Sequence, residues 1–209
     1  MTQEPIPSST RTRSLSNREL LQAPPATPAD AFMRMLSDVV DRGGAAPTLK
    51  DAAEDALGPI IDVLGMDYAS FMAVSDGVAR FLVGSGQIAS VFRAATEESE
   101  FQHRDGVVGR AMLSTEVCSA EGDDLFAGPR GAAARRAGVV QEVGIPVLDN
   151  TGVIGVISVI STRARPLSEA GFFALRTLGR LLGDTLSKHE VRAASERVES
   201  ELALSLIHI

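Results

Sequence analysis

The stretch VVQEVGIPVLDNTGVIGVISVIS, residues 139–161, decides the fold. Two apolar runs, 139–148 and 153–161, flank Asp149-Asn150-Thr151-Gly152. β-Branched residues crowd both runs, and the Asp, Asn and Gly between them suit the backbone of a tight turn. The stretch therefore reads as two antiparallel strands joined by a hairpin. The second run is apolar on both faces, which predicts a central strand covered on both sides. Pro166 closes it, because proline has no N–H for a ladder.

Working upstream, residues 68–74 and 79–83 are two more apolar segments around the turn signal Ser75-Asp76-Gly77, a second hairpin. Residues 87–94 fit a strand or a short helix. Residues 107–113 predict a short helix after Asp105-Gly106, and 116–119 a short strand. A polar, glycine-rich loop covers 120–129, and the alanine-rich stretch 130–137 reads as helix. Nearer the N-terminus, Thr27-Pro28 starts a helix with Phe32, Met35, Leu36, Val39 and Val40 on one face, and Gly43-Gly44 is expected to end it. Thr48, with Asp51 three residues on, starts a second helix that Pro59 should kink or break and Gly65 should stop. Downstream, Ser168 caps a long helix with Leu175, Leu178, Leu182 and Leu186 on one side. Helices at both chain ends around an antiparallel sheet make an α+β fold, with no internal repeat.

Composition narrows the function. Of 209 residues, 44% are hydrophobic, enough for a substantial core, and the net charge of −7 argues against a nucleic-acid surface, which needs a basic face. One cysteine permits no internal disulfide and no cysteine-based metal cluster. No apolar run is long enough to span a bilayer, so no membrane role is expected of this chain. Arg11, Arg13 and Arg18 precede no apolar segment, so residues 1–26 are read as a disordered arm and not a secretory signal.

Four motifs in order carry a family resemblance. Gly106-Val107-Val108-Gly109-Arg110-Ala111 resembles a helix of GAF domains. Ala137-Gly138-Val139, Gly144-Ile145-Pro146-Val147 and Gly152-Val153-Ile154-Gly155-Val156 resemble the GAF closing hairpin. Phe92-Arg93, Phe101 and Pro129-Arg130 are further similar to a GAF subtype found in methyl-accepting chemotaxis proteins. Met112 and Gly128-Pro129 depart from that subtype. The resemblance implies a GAF-like sheet with the N- and C-terminal helices on one face and short helices and loops on the other. It also implies a cytoplasmic, non-catalytic bacterial sensory module that takes a small-molecule ligand or a partner, pairs as a homodimer, and signals through its last helix. The cavity would lie between the sheet and residues 101–137. Strand placement puts Met72, Phe81, Phe101, Met112, Cys118, Val143 and Ile145 along it.

The division that follows is 1–26 arm, 27–187 sensory domain, 188–203 start of a signalling helix, and 204–209 tail. Leu204-Ser205-Leu206-Ile207-His208-Ile209 resembles the translation of a sequencing adapter, so the natural chain is expected to continue into a C-terminal output domain. No motif requires a cofactor. His103 lacks partners for a metal, and Cys118 lacks the following histidine of bilin-binding relatives. Glu121, Asp123 and Asp124 match no calcium loop, and Gly84-Ser85-Gly86-Gln87 lacks a P-loop ending. Ser99 and Ser114 sit in no nucleophile elbow, and Arg135-Arg136 is a solvated helix face. His189-Glu190 resembles a phosphoacceptor helix but lacks its Arg-Thr-Pro continuation. Three functions remain: a ligand sensor, a dimerisation scaffold with a filled cavity, and a sulfoxide reductase, for which one cysteine is too few.

Overall fold

The computed structural model describes residues 28–126 and 128–207. The arm assigned to 1–26 lies outside them, as do the last two residues of the 204–209 tail.

Thr48 starts its helix as the capping pattern requires. Its Oγ accepts the Asp51 N–H at 3.1 Å and donates to the Asp51 carboxylate at 2.7 Å. The order is α1 (Pro28–Ala45), α2 (Leu49–Leu64), β1 (Tyr68–Ser75), β2 (Val78–Gly86) and α3 (Ser90–Glu98). Then come β3 (Glu100–Phe101), α4 (Gly106–Ser114), β4 (Cys118–Glu121), a 3-10 turn (Gly122–Phe126) and α5 (Gly131–Ala137). β5 (Gln141–Leu148), β6 (Val153–Ser161) and α6 (Glu169–Ile207) complete the chain. The strands form one antiparallel sheet in the order β3-β2-β1-β6-β5-β4. β6 is central, as its two apolar faces demand. The hairpin turn before it is tied by Asp149, whose carboxylate accepts the Thr151 and Gly152 N–H groups at 2.7 and 3.1 Å.

The terminal helices cover one face. Leu57, Ile60, Phe71, Ile145, Ile157 and Leu175 are among the fully buried residues between them and the sheet. Leu175, Leu178, Leu182 and Leu186 of α6 are all buried, each contributing about 1.5–3 kcal/mol. α6 lies very close to β5, because Gly179 and Gly183 rest on the Pro146 and Leu148 carbonyls, where a Cβ would collide with backbone. The other face carries α3, α4, the 3-10 turn and α5, here called the cap.

Two expectations are revised, and two glycines show what they admit. α1 continues through Gly43-Gly44 to Ala45, and Gly43 serves instead to admit Thr185 of α6, whose methyl would stand 3.2 Å from a Cβ there. α2 runs unbroken through the buried Pro59, because Ala52, Ala56, Leu57 and Ile60 pin both halves to one core. Gly109 lies against the Gln102 carbonyl and the Arg104 backbone, where a Cβ would collide. Gly155 leaves room for the Phe71 ring of the neighbouring strand.

Candidate functional site

The register of the central strands builds a trough on the cap face. Gly84, Ser70, Ser158 and Gly144 are cross-strand neighbours in one row over β2, β1, β6 and β5. None of the four carries a side chain larger than a hydroxymethyl, so other groups fill the row from above. At one end the Tyr68 hydroxyl lies over Gly84, where a Cβ would collide with it. At the other, Val107 and Ala111 of α4 press on Gly144, at 2.8 and 3.2 Å from a Cβ built there. In the middle sits the guanidinium of Arg130.

Arg130 immediately precedes α5 and reaches down to the sheet. It is 4% exposed. One terminal nitrogen donates to the Thr96 hydroxyl of α3 at 3.1 Å. The other donates to the Glu142 carboxylate and, at 2.7 Å, to the Ser158 hydroxyl, which itself donates to Glu142 at 2.8 Å. The Phe92 and Phe101 rings flank the guanidinium, each centroid 5.0 Å from its carbon. A flat, weakly hydrated cation suits that slot where an ammonium would not. The side chain thus joins α3, β3, β5 and β6, and it fastens the cap to the sheet. Arg135 adds an outer contact, stacking 4.2 Å from the centroid of Phe126.

Two buried hydroxyls beside this pair have no hydrogen-bond partner among the described residues: Tyr68 Oη and Ser70 Oγ. Burial pushes the Tyr68 phenol up from its ordinary value, and the nearby Arg93 offsets that only in part. The phenol therefore stays protonated and able to donate.

The trough continues into an apolar end. Met72, Phe101 and Met112 are buried there with Val108, Ala111 and Val156, and Phe81 and Cys118 pack against them half-buried. Five of the seven sequence candidates thus meet on the cap face. Val143 and Ile145 do not. Side chains alternate along β5, and with Gly144 turned to α4 both neighbours point into the core under the terminal helices. The polar half of the compartment escaped the sequence reading. Its signal was Glu142, a lone carboxylate inside an otherwise apolar strand, which implies a buried cationic partner.

The remaining sequence candidates stay apart. His103 is exposed, as are Glu121, Asp123 and Asp124. Cys118 Sγ lies 3.4 Å from Ser114 Oγ and 3.5 Å from the Glu116 carbonyl. His189 contacts the Gly43 carbonyl at 2.8 Å. Among the described residues no three His, Cys, Asp or Glu stand close enough to hold a metal ion. No described helix is long and apolar enough to cross a membrane.

A six-stranded antiparallel sheet with both terminal helices on one face and a cap of short helices on the other defines a GAF-type α+β domain. The sequence matches the GAF domain family over residues 46–187, and the chain belongs to that family. Solved structures agree on the fold. A GAF domain from a Coxiella burnetii phosphoenolpyruvate-protein phosphotransferase superposes with a TM-score of 0.65 at 17% identity, covering 80% of this chain and 99% of that one. The corresponding domain from Acinetobacter gives 0.61 at 18% identity, covering 78% and 97%. A putative GAF sensor protein from Burkholderia vietnamiensis gives 0.63 at 17% identity, covering 81% and 97%. No curated protein matches the sequence. GAF domains are signalling or ligand-binding modules, and that general role comes with membership.

Proposed function

We propose that this chain is a non-catalytic, cytoplasmic sensory module in which a small molecule bound between cap and sheet alters α6, and through it an output domain such as a chemoreceptor hairpin or a kinase. The observation that carries the reading is the position of β5. On its cap side Gly144 lies against Val107 and Ala111 of α4. On its other side the Pro146 and Leu148 carbonyls bear on Gly179 and Gly183 of α6. At its end Asp149 accepts the Ser187 hydroxyl of α6 at 2.9 Å. The contacts at Gly144, Gly179 and Gly183 are made by backbone and by the short, stiff side chains of Val107 and Ala111, so a displacement of α4 is passed to α6 as backbone movement. A ligand drives such a shift only through its differential affinity for the two cap positions.

Thermal melting of the chain against cyclic nucleotides, haem, bilins and small metabolites tests the reading. A saturable rise in Tm for one compound is expected, by linkage. A flat response to every compound, in a folded dimer, favours the second reading, a dimerisation scaffold. The specific support for that alternative is that Arg130 already meets Thr96, Glu142 and Ser158 in the middle of the trough.

A further inference from the structure

We infer that the trough recognises a small zwitterion, a molecule bearing one carboxylate and one ammonium as a free amino acid does, with Arg130 taking the carboxylate and Glu142 the ammonium. The inference rests on the sensory reading and supplies its ligand class.

Charge balance is the first argument. The compartment contains one buried cation and one buried anion, and these neutralise each other. A purely anionic ligand that took Arg130 would strand the Glu142 carboxylate in the interior. A purely cationic ligand that took Glu142 would strand the guanidinium. Both outcomes leave an uncompensated buried charge, which interiors tolerate poorly. A zwitterion inserted between the two side chains leaves the total charge unchanged and gives each end an opposite partner. Its arrival also breaks the hydrogen bonds from Arg130 to Glu142 and Ser158, which join the start of α5 to β5 and β6.

The second argument is the pair of orphaned hydroxyls. Ser70 is 0% exposed and is the cross-strand neighbour of Ser158, the residue that already holds Arg130. Tyr68 is 1% exposed, and its hydroxyl lies over Gly84, the neighbour of Ser70 on the far side. Both groups therefore line the same row, next to the ion pair, with hydrogen-bonding capacity unused. Buried polar groups are normally satisfied, so two side by side mark a place where a polar ligand completes the set. Hydroxyls both donate and accept, and suit either end of a zwitterion. The adjoining apolar residues Met72, Phe81 and Met112 give its side chain an apolar destination.

The test is thermal melting of the full chain with the common L-amino acids, with the des-amino acids propionate, 4-methylpentanoate and 3-phenylpropionate, with ethylamine, isoamylamine and phenethylamine, and with the cyclic nucleotides. At a hundredfold excess over Kd the matching amino acid is expected to raise Tm by about 5–10 °C, while its des-amino and decarboxylated analogues leave it unchanged. Equal stabilisation by a carboxylate or an amine alone overturns the zwitterion. Stabilisation by a cyclic nucleotide but by no amino acid also overturns it, and leaves the sensory reading standing. Silence across the whole panel overturns both. A second measurement uses Tyr68→Phe, which removes an orphaned hydroxyl. Its Tm without additive is expected to match or exceed that of the wild type, with a smaller shift on adding the amino acid. An undiminished shift removes Tyr68 from the site and overturns the role given to the orphaned hydroxyls.

Discussion

At the scale of single residues, Arg130 and Glu142 form an ion pair buried on both sides. Replacing Arg130 by Met leaves the Glu142 carboxylate buried without its cation, and the expected loss is about 3–5 kcal/mol in urea unfolding. The double variant Arg130→Met with Glu142→Leu removes both charges, and it should recover most of that stability. A double variant as unstable as the single one would show that the pair acts by shape rather than charge. A second residue-scale prediction concerns Asp67. Burial pushes its carboxyl up, but hydrogen bonds from the Thr162 N–H and hydroxyl, both at 2.7 Å, and the nearby Arg163 outweigh this, so the group titrates below its ordinary value. In that interval the unfolded chain binds more protons than the folded one, so stability rises with pH. The contribution is fully present above the ordinary carboxylate range, about pH 4, and fades as pH falls through the lowered folded value. Asp67→Asn should flatten the acid limb of the stability curve relative to wild type. An unchanged acid limb would remove Asp67 from the account.

At the scale of elements, glycines separate two kinds of helix surface. Gly58 in α2 has open space where a Cβ would go, so Gly58→Ala should stabilise the protein by about 0.5–1 kcal/mol through helix propensity alone. Gly183 in α6 has the same intrinsic preference for alanine, but its Cβ would collide with the Leu148 backbone. Relief requires α6 or β5 to move, and Gly183→Ala is expected to cost about 1–3 kcal/mol by the same unfolding measurement. Equal gains at both positions would show that α6 is not seated on β5. These elements also show what the sequence disclosed. Local rules sufficed for the hairpin at Asp149, the cap at Thr48 and the centrality of β6, because each depends on residues a few positions apart. They failed for α2 at Pro59, where packing overrides a local penalty, and for residues 87–94, which fit helix and strand equally until Phe92 finds its place over the sheet. The apolar end of the compartment was largely legible from strand periodicity. Val143 and Ile145 were misassigned because periodicity gives alternation but not which parity faces the cap. The polar half was hidden, since the partners in the link from Arg130 to Thr96, Glu142 and Ser158 come from four separate segments of the chain.

At the scale of the whole molecule, α1 and α6 form a surface with apolar side chains left to bury. A groove of about 600 Å³ runs between them, lined by Phe32, Met33, Leu36, Val40, Phe173 and Leu181 among others. Met33 is 66% exposed and Phe173 69%, unusual for large apolar side chains standing together. α6 packs directly on β5 and α1 packs on α6, so this surface is where a change at β5 would emerge. A second copy fits it best. A twofold arrangement presents each exposed residue to the partner twice, and burying Phe173 and Met33 symmetrically gains about 1.5–3 kcal/mol per side chain. It would also set the two α6 helices side by side, and α6 continues about 25 Å from the buried Leu186 to residue 203. Paired extensions of that length give a rotation or a slide at β5 a rigid lever, which a lone helix in solvent does not provide. The chain should therefore sediment as a dimer at micromolar concentration. Phe173→Glu should shift it to monomer with at least a hundredfold weaker association, because a carboxylate would be buried in an apolar interface while the core behind it is untouched. The melting of that variant in isolation should remain cooperative, since Phe173 contributes little to the fold of one copy. A wild-type chain that sediments as a monomer would leave α6 without a partner, and the relay would then have to act through contacts made by α6 with the output domain itself.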